Sequence, residues 1–509
     1  MDDAAIELLA RERLGFDELR SGQLRAVSAL VAGRDVLAVL PTGGGKSAIY
    51  ELAGMLREGP TVVVSPLIAL QDDQLAHLRA AGLGAIVLNS HQSSREHVAA
   101  LTAACRPDSF VFLSPEQLSN SETLDVLRRA RPGLFAVDEA HLISQWGHDF
   151  RSDYMRLGAQ ADALDVPVRL ALTATAAQPT QEEIVRRLEL RDPEVVIGDF
   201  DRPNISLDAK RVRTDADKRR ALTDFAAETA GSGIVYAATH ADAEAARDAL
   251  AAVGESVTLY HAGLSPRARR DAMNAFLDGS VRIVVATVAF GMGIDKADVR
   301  WIVHVDPPPS LDAYYQEIGR AGRDGEPAQA LLLYRPEDFG SAVHFTSRGV
   351  SQASVARIAA LLASGEEVQA DRGTTAALVR LVDVGAAELD PAGTVRWTGT
   401  LDVGAALSAS EAEAQREEEI ERSRLDMMRR YAEHADSRRS FLLSYFGQST
   451  TEAGEGEPFA PGERVVSDRW GSGTVQRYDG DQMTVLFDEH GYRDLLVPLV
   501  VNRGLLRRV

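Results

Sequence analysis

Cysteine is almost missing from this chain. Cys105 is the only one in 509 residues, which excludes an internal disulfide and any cysteine-rich metal knuckle. Long apolar runs are missing too. No stretch approaches the roughly 18 uninterrupted apolar residues of a membrane span, and Met1-Asp2-Asp3 lacks the basic and apolar pattern of a secretory signal. A cytoplasmic protein with no membrane partner is therefore expected. Positive charge is in deficit, with 55 Lys and Arg against 75 Asp and Glu and a net charge of -20. Lysine is confined to Lys46, Lys210, Lys218 and Lys296, so arginine carries most of the positive charge. An acidic total does not exclude a nucleic-acid partner, because phosphate binding needs only a local basic track.

What is present is ordinary globular composition, 45% hydrophobic and 26% charged, at a length that calls for two to four domains. Over residues 1–200, short apolar runs alternate with amphipathic stretches. Val36–Leu40, Thr61–Val64, Phe110–Leu113, Leu134–Val137 and Arg169–Leu172 read as buried strands, and Gln71–Ala81 and Ser121–Ala130 as helices. This alternation predicts a mostly parallel sheet covered on both faces. A polar stretch, Asp199–Asp217, separates it from a second block over 201–340. There Ile234–Ala237, Val257–Tyr260, Arg282–Ala286, Trp301–Val305 and Ala330–Tyr334 read as strands. Such sheets bind ligands at the carboxyl ends of their strands.

Past residue 340 the pattern changes. Val355–Leu362 and Thr374–Val384 read as helices and Glu388–Trp397 as a hairpin, with Pro391 and Gly393 at its turn, which predicts a small winged-helix-like unit over 341–400. Glu411–Arg430 and Phe441–Phe446 form a helical pair within 405–450. Residues 451–462, in the Gly-, Glu- and Pro-rich stretch Thr450–Gly462, read as a linker. Short runs broken by Gly471, Gly473, Gly480 and Gly491 predict a small Tudor-like barrel over 463–509, a place for a protein partner.

Three motifs carry chemistry. Pro41-Thr42-Gly43-Gly44-Gly45-Lys46-Ser47 follows the first strand and opens a helix. Backbone N–H groups of Thr42, Gly43 and Gly45 can cradle phosphates, Lys46 can reach the β- and γ-phosphates, and Ser47 can ligate Mg²⁺. The usual glycine at position 40 is replaced by Leu40. Asp138-Glu139-Ala140-His141 ends the strand Leu134–Val137. Asp138 at a strand end can hold Mg²⁺, and Glu139 can activate water. In Gln316-Glu-Ile-Gly-Arg320-Ala-Gly-Arg323-Asp-Gly325, the arginines are three apart and share a helical face, suited to neutralising a transferred phosphoryl group.

In this order and spacing, the motifs resemble a superfamily 2 helicase core. Leu14-Gly-Phe16-Asp-Glu-Leu-Arg20-Ser-Gly-Gln23 is similar to the segment that precedes the phosphate loop in RecQ helicases. The resemblance implies stacking of adenine on Phe16 and base hydrogen bonds from Arg20 and Gln23. Ile143-Ser-Gln145-Trp146-Gly-His-Asp-Phe150-Arg151-Ser-Asp-Tyr154 resembles the RecQ aromatic-rich loop. In it Gln145, Trp146, Phe150 and Arg151 would contact DNA, the aromatics by stacking and Arg151 at phosphate. Ala286-Thr-Val-Ala-Phe-Gly-Met-Gly-Ile-Asp295 resembles a second-domain motif that places Asp295 near the nucleotide. The expected whole is two RecA-like domains binding ATP and Mg²⁺ and driving 3′→5′ unwinding of DNA in repair or recombination.

Residues 424–447 resemble the RecQ zinc-binding region, but Ser437 stands where its first cysteine is expected and no cysteine follows. No zinc is expected. A translocase that does not unwind, or an RNA-directed motor, remains open at this point.

Overall fold

The computed structural model describes residues 2–66, 71–89, 92–143, 152–288, 290, 296–340, 350–369, 374–390, 394–434, 437–448 and 457–509. In chain order the first strands are β1 (Val36–Val39), β2 (Thr61–Val64), β3 (Gly84–Leu88), β4 (Ser109–Leu113), β5 (Leu134–Val137), β6 (Arg169–Thr173) and β7 (Glu194–Ile197). All pair in parallel, in the order β3-β4-β2-β5-β6-β1-β7. The central strands β1, β2, β4, β5 and β6 are buried throughout, which explains their largely apolar sequences. A second parallel sheet holds β8 (Ile205–Arg211), β9 (Ser232–Tyr236), β10 (Val257–Tyr260), β11 (Ile283–Ala286), β12 (Val299–His304) and β13 (Ala328–Tyr334), in the order β10-β11-β9-β12-β13-β8. These are the two RecA-like α/β domains expected from the sequence.

Three strands depart from expectation: β3, β7 and β8. Each lies at a sheet edge, where one side of the ladder is open and exposed faces dilute the apolar run. Ile205–Arg211 is the clearest case. Its burial falls away along the strand, so it reads as part of a polar separator, yet it pairs in register with all of β13.

By packing, the chain divides into two units, neither continuous in sequence: residues 1–198 with 348–415, and 199–347 with 416–509. The first unit therefore includes the predicted winged-helix-like segment. It consists of helices Gln352–Ala363 and Thr375–Asp383 and a three-stranded antiparallel sheet of β14 (Val368–Gln369), β15 (Ala387–Leu389) and β16 (Thr394–Trp397). Val355, Ile358, Leu362, Leu378, Leu381 and Val395 form its core. Arg187 ties it to the first sheet domain by donating to Asp383 and to Glu183, each at 2.8 Å. The hairpin turn at Pro391 and Gly393 lies outside the described residues.

The second unit carries the helical pair, comprising the later part of Val403–Glu433 and all of Arg438–Tyr445. A five-stranded antiparallel sheet follows: β17 (Arg464–Ser467), β18 (Gly471–Asp479), β19 (Gln482–Phe487), β20 (Gly491–Leu496) and β21 (Arg507–Arg508), in the order β20-β19-β18-β17-β21. The expected linker is shorter than its composition suggests. Phe459 already packs in the core of this sheet, and Gly462 N donates to Val475 O at 2.7 Å. No helix among the described residues is long and apolar enough to cross a membrane.

Candidate active site

The phosphate loop leaves β1 and the acidic pair leaves β5, with β6 between them. All three strands run in parallel, so their carboxyl ends open on one edge, the usual ligand edge of such sheets. Leu40, the departure from the usual glycine, continues β1: its N–H donates to Thr173 O at 3.0 Å. It is buried and takes up the space beside Gly22 and Gly198, where a side chain would collide with it.

The loop is then shaped by glycine. Gly43 and Gly45 have φ of 76° and 69°, and Gly45 caps the helix Lys46–Leu56. A side chain at Gly45 would meet Gln23 Nε2 at 2.3 Å. Gln23 is buried and fully engaged: its Oε1 accepts from Arg20 N at 2.8 Å, and its Nε2 donates to Gly44 O and Gly45 O at 3.2 and 2.9 Å. Arg20 donates to Gly43 O at 3.2 Å. The two residues expected to contact a base thus hold the phosphate loop in this structure. Phe16 is half-buried with one side against His77, ring centroids 5.7 Å apart. Thr42, Lys46 and Ser47 are half-buried around the loop.

Asp138 is buried at the end of β5, its N–H donating to Val64 O at 2.8 Å. Its Oδ1 accepts from Glu139 N at 3.0 Å, and Glu139 takes a left-handed φ of 51°, unusual for a residue with a side chain. Burial and the neighbouring Glu139 push the Asp138 carboxyl up to about 7, against the pull of Lys46. Asp138 beside Glu139, with the Lys46 ammonium acting on it, gives the excess negative charge that a divalent cation would balance. The oxygen donors Ser47 and Asp138 fit Mg²⁺ in kind. His141 lies 3.3 Å from Glu139 and 3.0 Å from Thr173 Oγ1, and that hydroxyl donates to Thr175 O at 2.8 Å. The acidic motif is thereby tied to Thr173-Ala-Thr175.

In the second unit the arginine motif differs from the expected helix. The helix Leu311–Ile318 ends at Gly319, and Arg320 and Arg323 lie in the turns beyond it. Within these turns Gly322 has φ 55°; a side chain there would strike Asn204 and Glu326 O. Arg202 braces the turn by donating to Gly319 O, Ala321 O and Gly322 O. Arg320 is buried beside Tyr236. Burial raises that phenol to about 12, and the Arg320 guanidinium pulls it down by charge and hydrogen bond. Gln145, Trp146, Phe150, Arg151 and Asp295 lie outside the described residues.

The family profile described as DEAD/DEAH box helicase matches residues 20–184, the helicase conserved C-terminal domain matches 217–325, and RecQ zinc-binding matches 402–456. A protein named ATP-dependent DNA helicase RecQ from Synechocystis sp. is 39% identical over 341 residues, covering 65% of this chain and 71% of that one. The chain belongs to the RecQ helicase family. The Pasteurella multocida protein of the same name is 39% identical over 330 residues, 64% of this chain and 51% of that one. The probable ATP-dependent DNA helicase RecS of Bacillus subtilis is 38% identical over 327 residues, 64% and 66%. The chain spans about half the length of the first curated RecQ relatives it matches. Among solved structures, the DUF1998 helicase MrfA bound to DNA shares the fold, with a TM-score of 0.55 at 18% identity over 79% of this chain and 63% of that one.

The zinc-binding match does not bring zinc ligands with it. Residues 402–456 contain no cysteine and one histidine, His434, whose ring packs 5.1 Å from Phe441. Among the described residues no three His, Cys, Asp or Glu side chains gather as a metal site. The donor set does not fit zinc.

Sequence reasoning missed Glu51, one turn beyond Ser47 on the buried side of the same helix. Burial pushes its carboxyl from the ordinary 4.5 to about 7. His77 Nε2 stands 3.6 Å away, too far for a hydrogen bond. A raised acid destabilises the fold as pH climbs from 4.5 through 7, because the folded state then holds the proton more tightly than the unfolded state. Glu51→Gln is therefore expected to be more stable than the parent at pH 8, by on the order of 3 kcal/mol. The gain should shrink severalfold by pH 5. Urea denaturation at both pH values measures this, and equal stabilities at pH 8 would mean that Glu51 is paired with a charged His77.

Proposed function

We propose that this RecQ-family chain is an ATP-dependent DNA helicase that moves 3′→5′ and acts in repair or recombination. The observation that carries the reading is the charge of Lys46 acting on buried Asp138, with Glu139 beside it, next to a phosphate loop held in place by Gln23. A single charged loop could bind phosphate; the added carboxylates supply what hydrolysis needs. DNA as the track is favoured over RNA by the printed names of the relatives, and strand separation over mere translocation likewise.

In this reading Thr42, Gly43 and Gly45 bind phosphates through backbone N–H groups, Lys46 neutralises the β- and γ-phosphates, and Phe16 and Arg20 meet the base. Ser47 and Asp138 hold Mg²⁺, which supplies charge neutralisation on the phosphate oxygens when bound. Glu139 orients a water and accepts its proton, with His141 fixing the carboxylate. Arg320 and Arg323 stabilise charge on the transferred phosphoryl group, and Asp295 assists at the nucleotide. Gln145, Trp146, Phe150 and Arg151 grip the DNA strand, so that its occupancy is felt by the neighbouring acidic motif through His141 and Thr173. The Asp390–Gly393 hairpin is the candidate wedge.

Glu139→Gln is expected to bind ATP as the parent does while losing roughly 10²–10⁴-fold in turnover, since only the proton acceptor is removed. Nucleotide titration and single-stranded-DNA-stimulated ATPase assays read the two effects separately. Undiminished hydrolysis would remove Glu139 from the mechanism.

A second prediction concerns the region that matches the zinc-binding profile. The helical pair is proposed to hold together by packing of Leu425, Met428, Leu442, Leu443, Tyr445 and Phe446 instead of through a metal. The purified protein should carry no stoichiometric zinc, and a zinc-selective chelator should leave Tm unchanged. About one zinc per chain by elemental analysis would overturn this.

A further inference from the structure

The helix Leu311–Ile318 leads directly into the arginine turn, and the C-terminal part of the second unit holds it at three places. Tyr445 donates a hydrogen bond from its hydroxyl to Asp312. Tyr431 donates to the hydroxyl of Tyr314 at 3.2 Å, with the rings 5.1 Å apart. Phe446 packs edge-on against Tyr315 at 4.9 Å. From Tyr314 the contacts continue inward. Its ring lies 5.0 Å from that of His304, and His304 Nε2 is 2.8 Å from Glu317 Oε2. Glu317 O accepts from Arg320 N at 3.2 Å. Tyr431, Tyr314 and His304 are all at most 1% exposed, and Glu317 and Arg320 no more than 9%, so water does not loosen this chain of contacts. Outward, Tyr431 packs on Phe441, and Arg477 of β18 lies 4.0 Å over the Phe441 ring.

Helix ends fray readily unless something outside the helix fixes them. The turn that follows this one carries a guanidinium whose value in phosphoryl transfer depends on where it is held.

We propose that Tyr431 and Tyr314 are positioning residues for ATP turnover: through His304 and Glu317 they let the C-terminal helical pair set the place of Arg320. This rests on the proposed function, since it concerns the rate of the same hydrolysis. The effect is on the transition state, so it belongs in kcat and not in ATP binding.

Tyr431→Phe keeps the ring and deletes one hydroxyl, leaving that of Tyr314 buried with its partner gone. In the full chain, with saturating single-stranded oligonucleotide, kcat is expected to fall about threefold to tenfold. KM for ATP should stay within about twofold. The double variant Tyr314→Phe/Tyr431→Phe removes both hydroxyls, so no orphan remains and Tm should return close to the parent value. Its kcat should stay low. If kcat recovers along with Tm, or if Tyr431→Phe hydrolyses ATP at the parent rate, the pair is merely structural and the inference fails. A parent chain with no DNA-stimulated hydrolysis would instead overturn the proposed function, and the inference with it.

Discussion

A buried carboxylate with too little positive charge around it is the constraint on which the rest of the first domain depends. Asp138 sits at the end of β5 beside Glu139, opposed by Lys46. Such a group is costly unless a cation or proton joins it. The fold keeps it there through local devices. Asp138 takes its own neighbour's N–H, Glu139 accepts a left-handed backbone, and Gln23 uses both ends of its amide to keep the phosphate loop in place. The parallel sheet makes these devices possible by ending β1, β5 and β6 on one edge. Strain and charge are concentrated where chemistry needs them, and the surrounding strands are largely apolar.

The second unit solves a different problem. Its matched zinc-binding region holds no cysteine and a single histidine, and below a certain size a helical pair needs a staple. Aromatic side chains fill that role here. Tyr445 stacks on Tyr492 of the last sheet at 5.2 Å, and Phe200 stacks on Phe446 at 4.6 Å. Arg424 is half-buried, its charge facing Glu421, Asp312, Tyr445 and Tyr492. The C-terminal sheet is thus part of the packing that holds the helices, and the helices in turn hold Leu311–Ile318. Stability and positioning are supplied by the same residues.

Much of the active site was legible because its residues lie close together in sequence. Pro41–Ser47 and Asp138–His141 each follow an apolar run, and that local pattern is what a sequence displays. The central strands were legible for the same reason. Edge strands were not, since Ile205–Arg211 owes its pairing to β13 and not to its own composition. The arginine spacing of three suits a helix, yet the helix ends at Gly319 and both arginines lie in the turns beyond, with Gly322 in a left-handed conformation. Gln23 was noticed for a base contact, whereas its hold on the phosphate loop is a tertiary fact. Glu51 with His77, and Tyr431 with Tyr314, His304 and Glu317, are farther still from any sequence pattern, because each joins separate elements. The only hint in the sequence was a carboxylate or histidine on an otherwise apolar helix face or strand.

As a proposed helicase, the protein would convert charge at one sheet edge into separation of DNA strands. Strand release from duplexes with a 3′ tail, a 5′ tail or a fork, followed by a fluorescent label, tests it most directly. The account predicts ATP-dependent release from the 3′-tailed and forked duplexes, and none when a non-hydrolysable analogue replaces ATP. ATP hydrolysis stimulated by single-stranded DNA without release of any strand would contradict it, as would release confined to the 5′-tailed duplex.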